Sequence, residues 1–146
     1  MKRQILFRGQ KPRSKIWVEG DLISTGIMKG IATSALEVFP FQKDTLSQYI
    51  NRTDKNGKKA FEGDFVKQTI IQDDGEILTD KFLIVFDNVA CAFVMVAVDF
   101  ERRGMKKIVY DIPDEKTFSA EIEVIGNRWD NWEEEQYLPL LASGVV

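Results

Sequence analysis

A chain of 146 residues with 44% apolar and 29% charged side chains can bury a core of its own, which excludes intrinsic disorder and any need for a disulfide or metal staple. It holds no histidine and one cysteine, so Ser-His-Asp and Cys-His catalysis and the common zinc sites are excluded, and Cys91 has no partner within the chain. A net charge of -3 and a pI near 5.1 argue against a strong nucleic-acid-binding reading, since phosphate binding usually shows a basic footprint. The length predicts a single domain over residues 1–146.

Short β-branched and aromatic runs, separated by Gly, Asn and Asp, predict a mainly β, antiparallel fold with one or two short helices. Met1–Arg8 carries basic residues but too few apolar ones for a signal peptide, and a cytosolic location is expected. Strands are expected over Gln4–Arg8, Lys15–Leu22 and Ala35–Phe39. Between them, Gly26-Ile27-Met28-Lys29-Gly30 lacks the spacing of a phosphate loop and reads as a plain loop. Asp44 reads as the cap of a helical turn running through Leu46 and Tyr49.

Further along, Asp54-Lys55-Asn56-Gly57-Lys58 predicts a tight turn with positive φ at both Asn56 and Gly57. As a calcium loop it fails, since Lys59 stands where a glycine is needed and Phe65 where a glutamate is needed. Phe65–Gln72 and Glu76–Phe86 read as a hairpin across Asp73-Asp74-Gly75, and Val89–Val98 as the strand that returns after a turn at Asp87-Asn88. Cys91 then falls in an apolar run and is expected to be a buried, inert thiol. The apolar stretch from Phe82 to Val98 is broken by Asp87-Asn88 and is too short for the ~20 residues of a membrane helix. Lys107–Ile112 and Glu121–Gly126 complete the strands, and Asp130 with Glu133 forms a capping box for a last helix that Pro139 would end.

The segment Gln48-Tyr49-Ile50-Asn51-Arg52-Thr53-Asp54-Lys55-Asn56-Gly57-Lys58, followed by Phe61-Glu62-Gly63-Asp64-Phe65-Val66, resembles the central motif of the YopX family of phage and prophage proteins. Ile5-Leu6-Phe7-Arg8, Trp17-Val18-Glu19-Gly20-Asp21 and Glu123-Val124-Ile125-Gly126-Asn127 resemble its flanking pieces in the same order. Ile50-Asn51-Arg52 stands where the family tends to have Thr-Gly-Leu, and Asn131-Trp132-Glu133-Glu134-Glu135 where it has Asn-Pro-Glu-Leu-Leu. Asn is the best substitute for Gly in the left-handed region, so Asn51 can keep a glycine's turn. The resemblance implies a bacterial host and an obscure biochemical role, and no cofactor is expected.

Phe61-Glu62-Gly63-Asp64 also resembles the diverging turn of SH3-like barrels, which implies a barrel-like centre from Phe61 to Val98. The motif residues Asp54, Gly57, Phe61, Glu62, Gly63 and Asp64 are thus expected to shape turns, with metal or acid/base use of Glu62, Asp64 and either Asp54 or Asp21 as the competing reading. Candidate binding residues are Arg8, Trp17, Tyr49, Trp129 and Trp132. Trp129 and Trp132, three apart, either dock the terminal helix or anchor a partner. The favoured expectation is a non-enzymatic module that binds an unknown protein or itself. Nucleic-acid binding through Phe7, Trp17, Phe61 and Phe65 near Arg8 and Lys67 is the alternative, set against the acidic pI. Residues from Met1 to Lys15 carry only basic charge and those from Asp111 to Glu135 mostly acidic, so the two ends can neutralise each other or link copies head to tail.

Overall fold

In the computed structural model, residues 3–97, 109–112 and 120–130 are described, and the chain divides into two units at Asn51/Arg52. The first is built from β1 (Phe7–Gln10), β2 (Trp17–Ser24), β3 (Lys29–Ser34), β4 (Glu37–Phe39) and the start of β5 (Ser47–Thr53), the strand that carries the chain into the second unit. Its strands pair antiparallel in the order β4-β3-β2-β1-β5.

Strand periodicity sorts the side chains of this sheet. Register pairs Arg8 with Glu19 and Ser47, and Gln10 with Trp17, so all five share one face. The opposite face carries Phe7, Gly9 and Val18, and there a Cβ at Gly9 would lie 2.8 Å from that of Phe41, so a glycine lets the Phe41 ring close over β1. Val18, Ile31 and Ile50 are buried.

Two expectations fail in this unit for physical reasons. The stretch ending at Gly30 is not all loop: Lys29 and Gly30 already belong to β3, and a Cβ on Gly30 would meet Val38 Cγ1 at 2.6 Å, a close strand approach that hides the strand signal behind a glycine. Nor does Asp44 start a helix through Tyr49. A single 3-10 turn covers Lys43–Thr45, Leu46 is already extended, and Ser47 onward pairs with β1. Thr45 Oγ1 accepts the Gln10 N–H at 2.9 Å while donating to the Gln42 carbonyl at 2.6 Å, which ends the turn in favour of the sheet. Asn51 has φ of 62°, the left-handed backbone expected of it, and its amide brackets Gln4 with bonds of 2.7 and 2.9 Å.

The second unit contains β6 (Lys59–Phe61), β7 (Asp64–Ile71), β8 (Ile77–Asp87), β9 (Ala92–Ala97), β10 (Val109–Asp111) and β11 (Ala120–Asn127). Its five-stranded antiparallel sheet runs β10-β9-β8-β7-β11. The mainly β expectation holds, but a barrel does not form among the described residues: β10 and β11 sit at opposite edges of an open sheet. At one end, neighbours such as Phe65 and Val66, Leu83 and Ile84, and Met95 and Val96 are all buried, so both faces are withdrawn from solvent there.

The hairpin across Asp73-Asp74-Gly75 is present, with Gln72 and Glu76 closing it and Gly75 at φ 84°. The next turn departs from expectation. Asp87 Oδ1 accepts the Val89 N–H, an Asx turn that takes Val89, Ala90 and Cys91 out of the strand. Cys91 is therefore exposed, with φ of 51° and its thiol 3.4 Å from the Asn88 carbonyl, and is not the buried thiol that its apolar neighbours suggested. The expected terminal helix lies outside the described residues beyond Asp130, as do Trp132 and the acids Glu133, Glu134 and Glu135.

Candidate functional site

The central motif builds two linked turns in the second unit. Asp54 opens the first: the Gly57 N–H bonds to the Asp54 carbonyl at 3.0 Å, the Asp54 N–H to the Lys58 carbonyl at 2.7 Å, and Gly57 alone takes the left-handed conformation, at 79°. This is a type I turn with a glycine bulge, so the expectation of positive φ at Asn56 as well is corrected. The three-residue loop needs only one left-handed position.

The Asp54 carboxylate is buried and fully occupied with backbone. Its Oδ1 accepts the N–H of Asn56 and of Lys58, each at 2.9 Å, and its Oδ2 accepts the N–H of Val124, also at 2.9 Å and 70 residues away. The Lys55 N–H adds a bond of 3.0 Å to the Ile122 carbonyl. One side chain thus shapes its own loop and fastens that loop to the edge of β11. Lys55 and Lys67 both approach Glu123, at 3.4 and 3.6 Å, but exposed pairs of this kind contribute about 0–1 kcal/mol and are secondary to the Asp54 bonds.

The second turn, Phe61 to Asp64, reverses the chain between β6 and β7. Asp64 Oδ2, fully buried, accepts the Phe61 N–H at 2.8 Å. Gly63 adopts φ of 87°, donates its N–H to the Ile84 carbonyl at 2.8 Å and accepts the Arg128 N–H at 2.9 Å. The Trp129 ring lies against it: a Cβ at Gly63 would be 2.5 Å from Trp129 Cζ3. Asn127 places that ring by accepting the N–H of Trp129 and of Asp130 on Oδ1, while its amide donates to Asp130 Oδ2. The Arg128 guanidinium stands 5.3 Å from the Trp129 centroid.

Glu62 is half-buried beside this turn. Burial raises its carboxyl above the ordinary value of 4.5, and the nearby charge of Arg128 opposes the rise. A folded state with a raised carboxyl pKa binds more protons than the unfolded chain over the pH range above 4.5, so stability falls as pH rises through that range. Glu62→Gln should remove this loss. In urea unfolding, the wild type should gain more on going from pH 7.5 to 4.5 than the variant does; superimposable pH profiles would mean that Glu62 is solvated.

Asp54 and Asp64 thus spend carboxylate oxygens on backbone N–H groups, and among the described residues no three or more His, Cys, Asp or Glu side chains are grouped to hold a metal. In the first unit, the register places Arg8, Trp17 and Tyr49 on one sheet face. Arg8 is buried, donates from Nε to Ser47 Oγ at 3.1 Å and lies 4.5 Å over the Trp17 ring, while Tyr49 is buried with its N–H on the Leu6 carbonyl. Trp129 belongs to the Gly63 turn, and Trp132 lies outside the described residues. Phe61 and Phe65, named for base stacking, are both buried in the core and offer no stacking surface.

Another surface was not singled out from the sequence. At the distal end of the β7–β8 hairpin, Ile70 pairs with Leu78 and Ile71 with Ile77, and all four are exposed, Ile71 at 56% and Ile77 at 63%. The signal was present: two apolar residues in succession on each strand must point to opposite faces, and a ribbon reaching beyond its core covers neither. No helix among the described residues is long and apolar enough to cross a membrane.

A search of curated proteins gave no match. The family model described as YopX protein matches residues 6–133, which takes in both units and the whole Asp54 to Asp64 motif, and the chain belongs to the YopX family.

Proposed function

We propose that the chain is a non-enzymatic binding module of phage or prophage type, acting in the bacterial cytoplasm, that engages a protein partner or a second copy through the distal β7–β8 hairpin. The observation that carries this reading is the pair of exposed apolar rungs, Ile70 with Leu78 and Ile71 with Ile77, on both faces of one ribbon. Apolar side chains clustered in this way mark interaction surfaces more often than isolated exposed ones do. The acidic turn of Asp73, Asp74 and Glu76 rims the patch, so the surface has an apolar centre and a charged border, as interfaces do. Asp54 and Asp64 of the motif support a binding role over catalysis, because their carboxylates are engaged in holding backbone.

The test is the double variant Ile71→Lys/Ile77→Glu, which replaces the apolar rung with an opposite-charge pair. Both positions are exposed, so thermal stability should stay within about 0.5 kcal/mol of wild type. Self-association seen by light scattering across a concentration series, or a partner recovered from host cells carrying the prophage, should be lost. A variant that still assembles and still retains the same partner would remove the hairpin from the binding surface.

A further inference from the structure

Charge is divided unequally between the units. Residues 1–51 hold eight Lys and Arg against four Asp and Glu, whereas residues 52–146 hold twelve against nineteen. The acidic pI of the whole chain therefore conceals a basic first unit, and the basic residues there are not scattered. Lys11, Arg13 and Lys15 occupy the loop between β1 and β2, and Gln42 ties Lys43 to the same place: its side-chain amide donates to the carbonyls of Lys11 and Ser14, each at 3.0 Å, and its own N–H bonds to the Gln10 carbonyl at 2.8 Å. Asp44 is the single acid in these two segments.

The loop is closed by backbone bonds and holds one residue at positive φ. Ser14 N–H reaches the Lys11 carbonyl at 3.2 Å and Lys11 N–H the Ile16 carbonyl at 2.9 Å, so Pro12 and Arg13 are the central pair of a turn. Arg13 sits there at φ 57°, where turns of this kind favour glycine, and its side chain is exposed. Arg13 is thus presented to solvent from a turn position fixed by backbone bonds. Beside it the Lys11 ammonium lies 4.3 Å over the half-buried Phe39 ring, and Ile16 is exposed, so cations alternate with apolar surface.

We infer that this end of the first unit, Lys11, Arg13, Lys15 and Lys43, binds the phosphodiester backbone of nucleic acid without reading its sequence. The inference rests on the reading of the chain as a binding module and supplies a second partner class, through residues other than those of the hairpin tip. Arg and Lys supply the phosphate contacts, and the apolar side chains flanking them suit bases better than an acidic protein surface. Three or four phosphate contacts give modest affinity and a salt slope of roughly -2 to -3.6, so binding should weaken about twentyfold or more between 50 and 200 mM salt.

The test is fluorescence anisotropy of the full chain with a labelled 20-nucleotide single strand and with its duplex. Arg13→Gly should melt no lower than wild type, because glycine relieves the left-handed backbone, yet bind more weakly. Arg13→Gly/Lys15→Ser/Lys43→Ser should bind at least tenfold more weakly at 50 mM salt and with a shallower salt slope, while Lys58→Ser/Lys59→Ser in the second unit should bind as wild type does. The two oligonucleotide arms decide which form of the backbone is preferred. No binding to either oligonucleotide at 50 mM salt, unchanged binding by the triple variant, or capture of polyglutamate in place of both oligonucleotides would overturn the inference. A hairpin-dependent protein partner found alongside any of these would leave the binding-module reading standing.

Discussion

Gly63→Ala should lower the stability of the protein by about 3 kcal/mol, through two effects that can be separated. The first is backbone: φ of 87° costs an L-residue about 1–2 kcal/mol. The second is packing, since the new methyl would enter the Trp129 ring at 2.5 Å and either the ring or the turn must move, at about 1–3 kcal/mol. Gly57→Ala isolates the first effect, because Gly57 has φ of 79° and open space where a Cβ would go. By thermal unfolding, Gly63→Ala should melt about 10 °C lower and Gly57→Ala only a few degrees lower. Adding Trp129→Ala to each should cost less in the Gly63→Ala background than in the wild type, since the clash has already displaced the ring. Equal melting temperatures for the two glycine variants would mean that Trp129 does not seat on Gly63.

Why Trp129 was only half legible follows from the same contact. Its sequence neighbourhood, Asn127-Arg128-Trp129-Asp130, suggests a capping turn, and Asn127 does bond two successive N–H groups ahead of it. Nothing local says that the ring will rest on a glycine more than sixty residues earlier. The glycine itself was legible as a bend, because aromatic-Glu-Gly-Asp ahead of a strand has few other uses. Strands with uninterrupted β-branched and apolar content were placed to within a residue: Asp64–Ile71 against an expected Phe65–Gln72, and Ile77–Asp87 against Glu76–Phe86. β3 and β5 were missed for different reasons. Gly30 weakens the strand pattern of β3, and β5 follows a local helix signal at Asp44 that loses to pairing with β1. Cys91 misled because an apolar run was read as strand, whereas Asp87 sets the turn from outside that run.

The division of charge bears on function in the same way. A pI near 5.1 describes the whole chain and carries no information about where each sign resides. Once the chain is divided at Asn51/Arg52, the basic excess falls wholly in the first unit, and the exposed apolar rungs of β7 and β8 fall in the second. The basic residues and the exposed apolar rungs belong to different units, and the variants proposed for each alter different residues.

Asp54→Ala should lower stability by about 3–4 kcal/mol. It removes the acceptor of three backbone N–H groups, and hydrogen bonds to a charged group contribute about 1.5–3 kcal/mol each. The sum is not realised, because Asn56 and Lys58 are exposed and water can replace the lost acceptor there. Val124 is half-buried on β11 and has less recourse to solvent, so most of the cost should appear at that bond. Asp54→Asn tests this division. Its carbonyl oxygen can keep the two loop bonds, but its NH2 then faces the Val124 N–H, donor against donor. The asparagine variant should therefore retain the loop and lose the attachment to β11, with a cost of about 2 kcal/mol and selective loss of amide-exchange protection at Val124. If protection falls at Asn56 and Lys58 and holds at Val124, the carboxylate shapes the loop alone and the attachment belongs to the Lys55 to Ile122 backbone bond. If Val124 alone is released, one carboxylate early in the unit fixes a strand near its other end, and the spacing of Asp54 from Val124 is a constraint on the fold rather than on any reaction.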